Sequence, residues 1–142
     1  MSNNESSQET VYEAVGGMPF FERLVGDFYD GVEQDQVLAP LYPEAPDFSG
    51  ARHRLTLFLA QYWGGPTTYS DERGHPALRM RHFPYPVGPL QRDHWLTHMS
   101  AALAMSDAPD EVRSAMTEYF VRSAEHLRND TGLPITSANY PR

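Results

Sequence analysis

Gln61-Tyr62-Trp63-Gly64-Gly65-Pro66, continuing as Thr67-Thr68-Tyr69-Ser70-Asp71-Glu72-Arg73-Gly74-His75-Pro76-Ala77-Leu78-Arg79-Met80-Arg81-His82, is the stretch on which the fold turns. It opens where an apolar stripe of Ala51, Leu55, Phe58, Leu59 and Tyr62 ends, and steps of three and four residues mark that stripe as one face of a helix. Gly64-Gly65-Pro66 stops the helix, since glycine accepts the conformation that closes a helix and proline cannot continue one. From there almost to Met80 no apolar period is present, which predicts a long irregular connection, and such connections in compact domains often carry function. The stretch closes on a short helix, Leu78 to Phe83, boxed in by His75-Pro76 before it and by Pro84 and Pro86 after it.

Upstream, Phe21, Leu24, Val25, Phe28, Tyr29 and Val32 repeat the helical period, and Pro19 sits where a missing N–H costs nothing, predicting a helix over 19–33. A shorter one over Val11 to Val15 ends at Gly16-Gly17. Downstream, Trp95, Leu96, Met99, Ala102 and Leu103 line a helix that begins near Pro89. Val112, Met116, Tyr119, Phe120, Ala124 and Leu127 line another, with Asp107 as its expected N-cap. No segment alternates with period two, so the fold class is all-α. Residues 1–9 read as a disordered polar tail, 10–129 as the domain and 130–142 as a second tail or irregular extension.

The 142 residues suffice for one core or one mid-sized cofactor. Cysteine is absent, and all 11 basic residues are arginine. Thiolate metal sites, thiol nucleophiles and cysteine-linked haem are therefore excluded, as are Schiff-base lysines and the phosphate-loop lysine. A formal charge of −8 argues against a nucleic-acid partner or an anionic membrane surface. With no apolar run of membrane-span length and no secretory signal at the start, a cytoplasmic protein is expected.

Six histidines remain as transition-metal ligands. His94 and His98 stand four apart on one helix face, but no Glu follows His94, so the zinc-protease pattern is missing and a solvated helix surface is the expectation. His82, flanked by Arg79 and Arg81 on the short helix, suits a single axial bond to a haem iron or a purely structural role. His75 precedes a proline and is biased out of helix. Phe28-Tyr29, Tyr42, Phe58, Tyr62-Trp63 and Trp95 gather on several segments, and buried Tyr and Trp need partners for their polar atoms.

Taken in order, Gly16-Gly17, Phe28-Tyr29, Leu41-Tyr42-Pro43, Gln61 to Pro66, Arg73 to His82, and Asp93 with Trp95 resemble the truncated haemoglobins of group II over essentially the whole 10–129 domain. The resemblance implies a two-over-two helical sandwich enclosing haem b, with His82 as the proximal ligand of a five-coordinate iron. It places Tyr29, Tyr42 and Trp95 around a diatomic ligand: dioxygen, nitric oxide or carbon monoxide. Ala51 stands where many globins carry a distal histidine, with Leu55 and Phe58 as the apolar wall. Arg81, Arg54 and Tyr69 are expected at the haem propionates. Phenol and indole donors would stabilise a partly anionic oxygen ligand, each by roughly 1.5–3 kcal/mol.

Two readings stay open at this point. One is redox chemistry, nitric oxide dioxygenase-like or peroxidase-like, fed by an external reductase because no flavin or nicotinamide fingerprint is present. The other is non-enzymatic oxygen storage, delivery or sensing. A carrier of apolar ligands with a structural His82 and no haem is a third, and a homo-oligomer is neither required nor excluded.

Overall fold

The computed structural model describes residues 9–73 and 88–127. Helices α1 (Val11–Ala14), α2 (Met18–Glu33), α3 (Ser49–Tyr62), α4 (Thr68–Arg73), α5 (Pro89–Met105) and α6 (Asp110–Leu127) follow in order, with a 3-10 turn at Ala39–Leu41. Among the described residues there is no strand. Helix α2 packs on α3 and on α5, and α5 packs on α6, so two helix pairs meet in a two-over-two sandwich.

The apolar period of α2 becomes its buried face. Phe21, Val25, Phe28 and Val32 are fully enclosed, and Phe20, Leu24 and Tyr29 nearly so. Each such aliphatic or aromatic side chain contributes about 2 kcal/mol by leaving water. Met99, Ala102 and Leu103 of α5 and Met116, Phe120 and Ala124 of α6 complete the core, while Trp95 and Leu96 pack on it half-buried.

Helix α1 is tied to the end of α3. Thr10 and Glu13 cap it reciprocally at 3.1 Å, and Tyr12 N–H donates to the Trp63 carbonyl at 2.9 Å. Gly64 turns the chain there with φ +106°, and a Cβ on it would lie 2.6 Å from Thr10 Cβ. Gly64→Ala therefore combines a left-handed strain with a clash against a side chain held by its own cap. An apparent loss of about 2–3 kcal/mol is expected in urea unfolding.

Three sequence expectations change. The connection after Gly65 is not irregular throughout, because it contains α4. Gln61 anchors that helix, donating from Nε2 to Ser70 Oγ at 2.7 Å and accepting from Ser70 N–H at 3.0 Å. Asp107 is not a cap, because α6 starts at Asp110. Arg113 holds the corner instead, donating to the carbonyls of Leu103, Ser106 and Ala108. Tyr62, read as the last member of the buried stripe, is 50% exposed, since α3 ends at the rim, where Phe58, Trp63 and Tyr119 flank its ring without enclosing it. The short helix expected at Leu78 to Phe83 lies outside the described residues, as do the two tails apart from Glu9.

Candidate functional site

A knot of rings sits where α2, the 3-10 turn and α5 converge. Tyr29 lies edge-on to Phe28 at 4.9 Å and to Tyr42 at 5.6 Å, and Phe48 touches both phenols at 6.0 and 5.2 Å. Trp95 enters from α5 against Phe28 at 5.0 Å and is backed by Phe120 at 5.7 Å. The i, i+1 pair Phe28-Tyr29 thus serves two neighbours: Phe28 meets Trp95, and Tyr29 meets Tyr42.

The two phenol groups are paired. Burial pushes the Tyr29 proton well above its ordinary pKa, the neighbouring Tyr42 adds to the rise, and Arg54 and Arg52 offset part of it. Tyr42 is also raised by burial, but its pairing with Tyr29 acts in the opposite direction. The two hydroxyls share one hydrogen bond, which uses one of their two protons. Both groups are neutral phenols at physiological pH, so one O–H of the pair is left to donate elsewhere.

The bacterial-like globin family model matches residues 10–129. The group 2 truncated hemoglobin YjbI of Bacillus subtilis is 35% identical over 84% of this chain and 89% of its own length. This chain belongs to the group II truncated haemoglobins. Solved structures agree. A thermostable hemoglobin from Thermobifida fusca superposes with TM-score 0.84 at 53% identity, covering 87% of this chain and 99% of the other. A truncated oxygen-avid haemoglobin from Bacillus subtilis does so with TM-score 0.79 at 34% identity, covering 85% of this chain and all of the other.

Within this truncated haemoglobin, Ala51 and Phe58 are buried on α3 with Leu55 half-buried between them, as an i, i+4, i+7 row. Phe58 meets Tyr69 of α4 edge-on at 5.3 Å, and Tyr69 is almost fully buried. Arg54 is partly exposed and pairs with Glu44 at 3.3 Å. His82 and Arg81 lie outside the described residues. Among those described, no helix is long and apolar enough to cross a membrane.

Sequence reasoning missed Asp35. His94 and His98 are not simply solvated: His94 Nδ1 donates to Asp35 Oδ2 at 2.8 Å and His98 Nε2 to the same oxygen at 2.7 Å. Asp35 Oδ1 meanwhile accepts from the N–H groups of Val37 and Leu38 at 2.8 and 3.1 Å. Burial of the carboxylate acts to raise its pKa, but these four donors outweigh it and hold the group far below the usual carboxylate range. A Cβ at Gly31 would come 2.4 Å from His98 Nδ1, so α2 is glycine where α5 leans its histidine against it. No set of three or more His, Cys, Asp and Glu suited to a metal ion exists among the described residues.

Arg52 was missed as well. It donates to the Gly26 carbonyl at 3.2 Å and to the Asp30 and Glu33 carboxylates at 3.0 and 2.6 Å, and its guanidinium carbon lies 5.9 Å from the centroid of the Tyr29 ring. Asp30 and Glu33 at helical spacing, opposite an arginine beside Ala51, were the available signal. Trp63 Nε1 is buried with no hydrogen-bond partner among the described residues.

Proposed function

We propose that this globin holds haem b against α3, with His82 as the proximal ligand, and presents Tyr29, Tyr42 and Trp95 to dioxygen or to nitric oxide or carbon monoxide. The observation that carries the reading is the pair of neutral phenols lodged beside Trp95, hydrogen-bonded so that one proton stays available. The residues suit the group. Ala51, Leu55 and Phe58 supply an apolar row for a flat macrocycle, and the phenol and indole groups near it are neutral donors from which a partly anionic oxygen atom can accept. When bound, haem supplies ligand affinity and the one-electron chemistry that lets dioxygen react with nitric oxide or consumes peroxide.

The chain's own side chains divide the remaining work. Tyr29 orients Tyr42 by donating to it, and Tyr42 and the Trp95 indole donate to the ligand. The row on α3 keeps water away, while Arg54, Arg81 and Tyr69 meet the propionates. Several donors on one ligand slow its release, which favours redox turnover with an external reductase over delivery. The oxygen-avid relative from Bacillus subtilis supports that side of the choice.

The test is spectroscopic. Titrating haem into the apoprotein is expected to produce a Soret band, and His82→Ala is expected to shift or abolish it. No band in the wild type, or an unchanged one in the variant, would remove the proposal. Turnover of nitric oxide or peroxide above that of free haem then separates an enzyme from a store or sensor.

A further inference from the structure

The three groups proposed to face the ligand sit on three separate segments: Tyr29 on α2, Tyr42 just after the 3-10 turn and Trp95 on α5. Apolar packing presses these segments together but leaves them free to slide, because burial has no direction. Hydrogen bonds set the register, and they converge on Asp35, the second residue after α2.

Toward Tyr42, the backbone and the side chain of Asp35 start one continuous set of bonds. Its carbonyl accepts from Ala39 N–H at 2.9 Å, and the Ala39 carbonyl accepts from Tyr42 N–H at 3.2 Å. Its Oδ1 accepts from Val37 and Leu38 N–H, and the Leu38 carbonyl accepts from Leu41 N–H at 2.9 Å. Toward Tyr29, Asp35 N–H donates to the carbonyl of Val32, one turn further along α2, at 3.0 Å. Toward Trp95, Oδ2 accepts from His94 and His98, one ring on either side of Trp95 along α5. Residues four apart lie on successive turns of one helix face, so a single oxygen that holds both opposes sliding and rolling of α5.

We propose that Asp35 is a positioning residue of the ligand pocket, one side chain that sets how far the Trp95 indole stands from the Tyr42 hydroxyl. It acts through the backbone of the 3-10 turn on one side and through His94 and His98 on the other. The inference rests on the haem reading above and deepens it: the strength of the pocket's donors is set from outside the pocket. Two donors to one small ligand need their separation held closely, since a hydrogen bond weakens steeply as its length and angle leave their optima.

The experiment reads the infrared C–O stretch of the ferrous carbon monoxide complex, together with oxygen release, in the haem-loaded full chain. Donors beside bound carbon monoxide lower that stretch, so a misplaced donor raises it. Asp35→Ala is expected to raise the stretch and to speed oxygen release about fivefold, less than outright loss of the Trp95 donor. Asp35→Asn is expected to restore both readings, because its amide oxygen still accepts from Val37 and Leu38 and its NH2 group donates to the two rings in their other tautomers. His94→Leu leaves Val37 and Leu38 their acceptor, should fall between wild type and Asp35→Ala, and serves if Asp35→Ala does not fold. Readings unchanged in Asp35→Ala or in His94→Leu, whatever the loss of thermal stability, would overturn the inference alone, as would Asp35→Asn behaving like Asp35→Ala. A stretch unchanged in both Trp95→Phe and Tyr42→Phe would overturn the placement of the donors, and no carbon monoxide complex in the wild type would overturn the haem reading, each taking this inference with it.

Discussion

Replacing Asp35 with alanine is expected to lower the thermal midpoint by about 10 °C, a loss on the order of 3 kcal/mol. The size follows from how many groups depend on one carboxylate. Its Oδ1 satisfies the N–H groups of Val37 and Leu38, which begin the turn toward Tyr42. Its Oδ2 satisfies His94 and His98, which flank Trp95 along α5. The side chain is only 8% exposed, so water replaces these bonds poorly, and truncation strands donors on two segments at once. Differential scanning calorimetry at neutral pH, on wild type and variant in the same ligation state, checks the value. A shift below about 3 °C would show that water substitutes for the carboxylate freely.

The same site predicts the direction of the pH dependence. Asp35 keeps its charge in the folded protein to a pH well below the ordinary carboxylate pKa of about 4, so between those two limits the unfolded chain binds the extra proton. Its contribution is complete above pH ~4 and drains away as the pH falls below that value. The part of the stability gap between wild type and Asp35→Ala that comes from this carboxylate should therefore shrink steadily as the pH falls from about 4 toward 2. A gap that widens across that acid range would contradict the assigned sign.

The contrast between Asp35 and the helices shows what kind of information the sequence carried. Phe21, Val25, Phe28 and Val32 announced their burial because the period of a helix is a local property, written in residues three and four apart. Tyr29, Tyr42 and Trp95 were legible through their resemblance to a family, and the structure brings them to one place. Asp35 meets His94 and His98 across separations of 59 and 63 residues, and no pattern within a window could pair them. Helix α4 was missed for a related reason: its six residues have little apolar period, and it is pinned by a bond from Gln61 on a different helix. Tyr62 erred the other way, because periodicity names a face but not where the neighbouring helix stops covering it.

Oxygen release should quicken at least tenfold in Trp95→Phe, and more in Tyr42→Phe than in Tyr29→Phe. Trp95 packs between Phe28 and Phe120, so a phenyl ring preserves most of that contact and deletes chiefly the indole N–H. A hydrogen bond to a partly anionic acceptor is worth roughly 1.5–3 kcal/mol, and each ~1.4 kcal/mol is tenfold in affinity. Such losses fall mainly on the dissociation rate. The order of the tyrosines follows from their pairing. On the proposed pairing Tyr42 would accept from Tyr29 and keep its own proton for the ligand, so losing its hydroxyl would remove a donor outright. Losing the Tyr29 hydroxyl leaves that donor in place and removes only its orienting partner. Stopped-flow displacement of oxygen by carbon monoxide from the ferrous proteins measures all three rates. An unchanged rate in Trp95→Phe would take the indole out of ligand stabilisation, and a larger effect in Tyr29→Phe than in Tyr42→Phe would reverse the direction of the phenol hydrogen bond.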